Sequence, residues 1–410
     1  MKFSAHPYAT TDSQPADGMM SPSNFQIESG TRHKKHCVVI TRFARSQPGY
    51  LDFAYRIEAL SKHYEVTLVS DHPLTVPEMA IKGVRHHVVP GGESQLGWFR
   101  YLWNGARFVR RQRPDCVILL HTLAAPLVHM LGNVPTALYW NEHAIRWKST
   151  NPTSFLKRLY QDWRHRYLFI GAARRADLLM PIGEAHREDL LAQGCKPVQT
   201  KLIYMGVDEH FRGVALKRTR QSVNEPLELI YTGTVQKARG RDVMLEAMAM
   251  AIKAGVPVRL TMVGASPDEL AYCNDYARQL GIADAVILHG RVPGNEIPAY
   301  IAQADAGICI WEDRPWWRFN PPTKLFEYLV AGLPVLASNI RTHTQYITHG
   351  QNGLVFEYDS GSLAQAIQAL WERRAELPAY KQRAFESSTP YLWENIEPVF
   401  LQSVEELACK

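Results

Sequence analysis

A chain of 410 residues is long enough for two or three domains. Its 46% hydrophobic and 21% charged residues are those of a folded globular protein, which excludes a wholly disordered chain, a collagen and a small disulfide scaffold. The formal charge of +6 is unevenly placed. Residues 1–215 hold 27 Lys and Arg against 18 Asp and Glu, a net +9, whereas residues 216–410 hold 19 against 22, a net −3.

In chain order, residues 1–31 are polar and turn-rich, lack the apolar stretch of a secretory signal, and read as a flexible tail. Strand signals at 37–40 and 65–69 then flank a helical pattern at 51–61. Runs at 115–120 and 136–139 enclose a helical stretch at 124–131, and runs at 178–180 and 201–204 close the first half. A charged, unpatterned stretch at 212–225 separates it from a second series, with strands expected at 227–231, 258–263, 286–288, 306–310, 334–337 and 354–356. Helical patterns at 243–253, 270–280, 297–302 and 323–330 lie among them. Such alternation makes a mostly parallel sheet covered on both faces. Occurring twice, it predicts two doubly wound, Rossmann-like α/β domains at 32–212 and 213–390, with the active site in the cleft between them. The last segment, 391–408, is a candidate helix for crossing back onto the first domain. The apolar stretch 117–134 contains His121, Pro126 and His129, which argues against a membrane span. The six cysteines are scattered with no C-x-x-C pair, which fits free thiols in a reducing cytosol better than a metal site or disulfides.

The densest chemistry lies at 320–337, Asn-Pro-Pro-Thr-Lys-Leu-Phe-Glu-Tyr-Leu-Val-Ala-Gly-Leu-Pro-Val-Leu-Ala. Thr323 reads as the N-cap of a helix that Gly332 and Pro334 stop. Lys324 and Glu327, three apart, share a face near its first turn. Free amides at a helix start suit a phosphate, and a carboxylate one turn in suits the two hydroxyls of a ribose. An ordinary capped helix with a surface Lys–Glu pair has the same local pattern. A second element, 229–240, runs from a strand into a loop bounded by Gly233 and Gly240 and carrying Lys237 and Arg239. Gly233 allows close approach of a ligand, and Arg239 offers a planar fork for a diphosphate. The loop is neither a G-x-G-x-x-G turn nor a P-loop.

Taken together with Met-Val-Gly264, His-Gly-Arg-Val292 and Ala-Asp-Ala-Gly307, these stretches resemble the C-terminal domain of family-4 (group 1) glycosyltransferases, retaining enzymes of the GT-B fold. The resemblance spans roughly 227–370, and Ala-Asp177, Ile-Gly-Glu184 and Met-Gly-Val-Asp208 fit it in the first half. It implies that Glu327 binds the ribose of a nucleotide-sugar, that Arg239 neutralises the diphosphate beside Gly233, and that Arg291 and Val292 lie by the base. Thr323 and Lys324 would meet the phosphates or the sugar. In Tyr139-Trp-Asn-Glu-His143, His143 stands where the family has a strand-end histidine facing the donor sugar, although a structural loop histidine is the alternative reading. Gly49, in the first strand–helix turn, stands where the family brings a loop to acceptor and phosphates.

Two departures stand out. The family's first glutamate, eight residues before Glu327, is here Phe319; Glu312 or Asp313 in the tryptophan-rich loop 310–317 is a candidate substitute. The arginine usual after the loop glycine is Thr234. No Asp-x-Asp metal motif occurs in the chain, so the expected reaction is metal-independent, with the nucleotide-sugar as substrate and no cofactor. The basic front half interleaves aromatics with arginines at 95–114 and 155–176, a pattern that suits an anionic membrane surface. The expectation is a cytoplasmic transferase, peripheral to the inner face of the membrane, acting on a lipid-linked saccharide in surface or exopolysaccharide synthesis. No nucleic-acid-reading motif is present. The alternative is a degenerate GT-B protein that binds a nucleotide-sugar or partner without turnover.

Overall fold

The computed structural model describes residues 34–42, 50–74, 80–92, 94–147, 154–219, 222 and 224–410. Twelve strands form two six-stranded sheets, both wholly parallel. The first contains β1 (His36–Ile40), β2 (Glu65–Ser70), β3 (Arg85–Val88), β4 (Cys116–Leu119), β5 (Thr136–Trp140) and β6 (Leu178–Pro181), in the order β3-β2-β1-β4-β5-β6. The second contains β7 (Leu227–Thr232), β8 (Val258–Ala265), β9 (Val286–Gly290), β10 (Ala306–Cys309), β11 (Val335–Ser338) and β12 (Gly353–Phe356), in the order β12-β11-β10-β7-β8-β9. Each order reverses direction once, between the first and fourth strand of its series, which is where a doubly wound sheet opens a crevice for ligand.

Alternating side chains divide each strand between two cores. Val38 and Ile40 of β1 enter one cluster and Cys37 and Val39 the other; in β7, Leu229 and Tyr231 face one side and Ile230 the other. The C-terminal helix Trp393–Ala408 packs Ile396, Phe400, Val404 and Leu407 into the first half, with Val39, Ile57, Leu60 and Ile118. Nearby, buried Arg56 pairs with Asp52, which also accepts the Tyr139 hydroxyl at 2.7 Å, while its guanidinium lies 5.3 Å from the Trp393 ring centroid.

Two local readings need correction, and one strand went unread. Residues 201–204 form no strand; they run past β6 with two backbone bonds, Lys201 N–H to Leu179 and Ile203 N–H to Pro181. The stretch expected as helix at 124–131 is a 3₁₀ helix, Thr122–His129, with Pro126 inside it. β3 gave no apolar signal because all four of its residues are exposed on a sheet edge. Val207 and Phe211 are buried in one cluster with Ile230 and Leu325 of the second half. Among the described residues, no helix is long and apolar enough to cross a membrane.

Candidate active site

The carboxyl edge of the second sheet gathers the predicted donor residues. Gly233 follows β7 and Gly264 lies near the end of β8, with φ of +110° and +114°. A Cβ on Gly264 would stand 2.4 Å from the Gly233 carbonyl oxygen, so both strand ends need glycine. Arg291, exposed, and Val292, partly exposed, follow β9. The helix Thr323–Ala331 follows β10 at the switch point. Its N-cap is Pro322, not Thr323, and no side chain caps it. Thr323 is instead the first helical residue, its hydroxyl 3.7 Å from Met205 Sδ. The uncapped start leaves backbone donors and partial positive charge for an anion.

Lys324 is not a surface residue. It is 7% exposed, and its ammonium lies 3.5 Å from the Tyr231 ring centroid, with no hydrogen-bond partner among the described residues. A Cβ on Gly233 would stand 3.3 Å from this nitrogen, which places it beside the glycine loop. Burial, with the positive charge of Arg239, pulls its pKa down to about 7. Glu327, half-buried one turn further on, has its carboxyl pushed up to about 7 by burial, against the pull of Lys324. From the first half, Tyr55 comes close: burial and then the negative charges of Asp208 and Glu327 raise its hydroxyl pKa. Arg239 sits on a single turn, Lys237–Arg239, with its Nε buried and without a hydrogen-bond partner among the described residues. Glu312 and Asp313, the candidate substitutes for the missing glutamate, pair with Arg314 and Arg318.

His143 follows β5 and is 3% exposed. Its Nδ1 accepts the Ile145 N–H at 3.3 Å, which puts the ring proton on Nε2, 3.0 Å from Asp189 Oδ2. Burial raises the Asp189 carboxyl, but the hydrogen bonds from His143 and Gln193 outweigh it and hold the pKa low. Both ring nitrogens of His143 are thus engaged. Phe319, standing where the family has its glutamate, stacks on this ring at 4.0 Å. Asn320 ties the halves together: its Oδ1 accepts the His143 backbone N–H at 3.0 Å and His186 Nε2–H at 3.1 Å, and its amide donates to the Asn141 carbonyl at 3.3 Å. His186, buried, is driven down to about 3 and stays neutral. Glu184 accepts the Tyr346 hydroxyl at 2.6 Å, and Glu188 pairs with Arg341, so the helix that bears His186, Glu184–Ala192, carries two more links between the halves. Asn320→Ala would orphan two buried donors at once; a loss of about 1–3 kcal/mol in urea denaturation is expected.

Asp189, His186, Asn320 and Tyr55 escaped the sequence reading. The one available signal was the i, i+3 spacing of His186 and Asp189 on a helix. His121 is structural: 1% exposed, with Nδ1 accepting the Leu123 N–H at 3.0 Å. Gly49 lies outside the described residues.

Two doubly wound α/β halves, with the candidate donor-site residues on the second, define the GT-B fold. Residues 226–373 match the family model for glycosyl transferases group 1, and residues 54–206 match the glycosyl transferase 4-like domain; the chain belongs to the group 1 glycosyltransferases. It is similar to the colanic acid biosynthesis glycosyltransferase WcaL of Salmonella typhimurium, 27% identical over 199 residues, 47% of each chain. It also resembles the amylovoran biosynthesis glycosyltransferase AmsK of Erwinia amylovora, 25% identical over 203 residues, 49% of each. These matches span about half the length of each relative. Among solved structures, Anabaena HepE in complex with UDP and glucose superposes with a TM-score of 0.68 at 14% identity, covering 90% of this chain and 99% of that one.

Proposed function

We propose that the protein moves a sugar from a nucleoside-diphosphate sugar to a lipid-linked saccharide in surface polysaccharide or exopolysaccharide synthesis, with retention and without a metal. The buried, unpartnered Lys324 ammonium beside Gly233 and an uncapped helix start carries this reading. As the anomeric C–O bond breaks, the leaving diphosphate gains negative charge. Lys324, Arg239 and the amides at the start of helix Thr323–Ala331 are fixed donors for that charge. Glu327 would accept from the ribose hydroxyls. The names of WcaL and AmsK place those relatives in exopolysaccharide synthesis, and HepE holds UDP and glucose; both support the substrate class. Retention follows the resemblance: the acceptor enters on the leaving-group face, where a phosphate oxygen helps remove its proton.

A screen of nucleotide-sugars that reports released nucleoside diphosphate, with and without EDTA, tests the reaction, and the anomeric configuration of the product tests retention. A second reading is motivated by Phe319 in place of the glutamate: nucleotide binding without turnover. Binding with no transfer or donor hydrolysis across the screen would decide for it.

Exposed side chains of the front half support the membrane position. On helix Phe155–Trp163, Phe155 and Leu156 are 71% and 75% exposed, beside exposed Lys157 and Arg158. On helix Gln95–Gln112, Trp98 and Tyr101 face the core while Leu96, at 80%, and Trp103, at 62%, face solvent among Arg100, Arg107 and Arg110. Trp98 stacks 6.0 Å from Phe169, in the π-helical turn Arg164–Ile170 that follows helix Phe155–Trp163. Exposed apolar anchors ringed by arginines fit anionic lipid, each cation contributing about 1 kcal/mol near the surface. Leu156→Asp with Trp103→Glu is expected to lower binding to phosphatidylglycerol vesicles at least tenfold, with wild-type binding lost at high salt.

A further inference from the structure

Three buried nitrogens near the switch point lack a partner among the described residues: Lys324 Nζ, Arg239 Nε and the indole Nε1 of Trp311. The third belongs to a loop that the donor reading leaves unused. Trp311 and Trp317 are 5% and 8% exposed and stack at 5.2 Å. With Ile340 they form a small cluster of their own, on which Ala238 and Trp316 pack. The loop is fastened from beneath: the Trp311 backbone N–H donates to Ser338 Oγ at 3.0 Å, and the Thr342 hydroxyl donates to the Trp317 carbonyl at 2.6 Å. The Arg239 guanidinium lies 5.3 Å from the Trp311 centroid and 5.9 Å from that of Trp317.

We propose that Trp311 and Trp317 are an aromatic shelf that positions the Arg239 guanidinium for the donor's diphosphate, with the Trp311 indole N–H as a further donor to the same anion. The proposal rests on the nucleotide-sugar reading and deepens it. Contact between a guanidinium face and aromatic rings leaves the N–H edges of the arginine free for phosphate oxygens. A three-residue turn by itself leaves a long side chain many rotamers, and the shelf removes that entropy before ligand arrives. The loop's acidic residues, Glu312 and Asp313, are neutralised by Arg314 and Arg318, so no free carboxylate of this loop opposes an anion. Thr234, in place of the usual arginine, leaves Arg239 as the guanidinium of the 233–240 loop.

Calorimetry of UDP, GDP and ADP binding to the full chain tests this through a double-mutant cycle. Arg239→Ala and Trp317→Leu are each expected to weaken binding about tenfold, and the double variant to bind no worse than Arg239→Ala alone, because Trp317 acts through Arg239. Trp317→Phe should bind within about twofold of wild type, since it keeps an aromatic face. Trp311→Phe, which retains the stack and loses the indole N–H, should weaken binding about fivefold with an unchanged melting temperature. Additive losses in the cycle overturn the shelf. Unchanged affinity in Trp311→Phe overturns the indole contact. Wild-type protein that binds none of the three nucleotides overturns the donor reading and the shelf with it; wild-type binding with an additive cycle leaves the donor reading standing.

Discussion

Replacing Lys324 by methionine is expected to make the protein more stable and nearly inactive. An ammonium buried over the Tyr231 ring with no hydrogen-bond partner among the described residues is an unfavourable arrangement. Methionine fills similar volume without the charge, so the thermal midpoint should rise by about 2 °C or more. The same charge is what the leaving diphosphate needs, so transfer should fall by about 10²- to 10³-fold. The pH dependence separates the two effects. Lys324 titrates near 7 in the folded protein against an ordinary value of 10.5. Between those values the unfolded chain binds more protons, and this residue makes stability rise with pH across that window. The variant should lose that rise. In activity the sign reverses: the free enzyme loses the phosphate-binding cation as pH climbs through about 7, so kcat/KM should decline there in wild type. A Lys324→Met protein that transfers sugar at the wild-type rate would remove the anion site from the proposal.

Glu327→Ala is expected to lower kcat/KM for the donor about a hundredfold with the fold intact. A carboxylate accepting two hydroxyls makes two charge-assisted bonds, each of about 1.5–3 kcal/mol. Its carboxyl is pushed up to about 7 from an ordinary 4.5, so between those values the folded state binds the extra proton and stability falls as pH rises. Ionised Glu327 is the form that accepts, which gives kcat/KM an acid limb near 7 to meet the alkaline limb of Lys324. The two limbs belong to the pair, three residues apart on one helix, and the profile should be a narrow bell. Steady-state kinetics over pH 5–9 measure it. Glu327→Gln, which retains bulk and loses the charge, should flatten the acid limb. Full activity in Glu327→Ala would show the ribose assignment to be wrong.

The doubly wound halves were legible because parallel strands buried on both faces read as continuous apolar runs. Short turns and helix-period stretches then mark the crossovers. β3 was not legible, since its residues Arg85, His86, His87 and Val88 are exposed on an edge and held by backbone bonds that any sequence can make. The Lys324–Glu327 spacing disclosed a shared helix face but not its environment. A surface pair and a buried lysine have the same local pattern, and only the packing of Tyr231 and Gly233 against Lys324 separates them.

His143 shows the same division more sharply. Its place after a strand is readable one residue at a time. Its partners are not: Ile145 is two residues away, Asp189 forty-six, and Phe319 and Asn320 lie in the other half of the chain. By itself the sequence determined the two-sheet architecture, the donor-side motifs and the excess of basic charge in the first half, all of which depend on local periodicity and composition. The tertiary structure alone decided that Lys324 is buried without a partner, that Phe319 covers His143, that Asn320 joins the halves, and that Trp311 and Trp317 lie against Arg239. Each of these is a contact between residues distant in sequence, and its energy comes from water excluded when the sheets and their loops pack together.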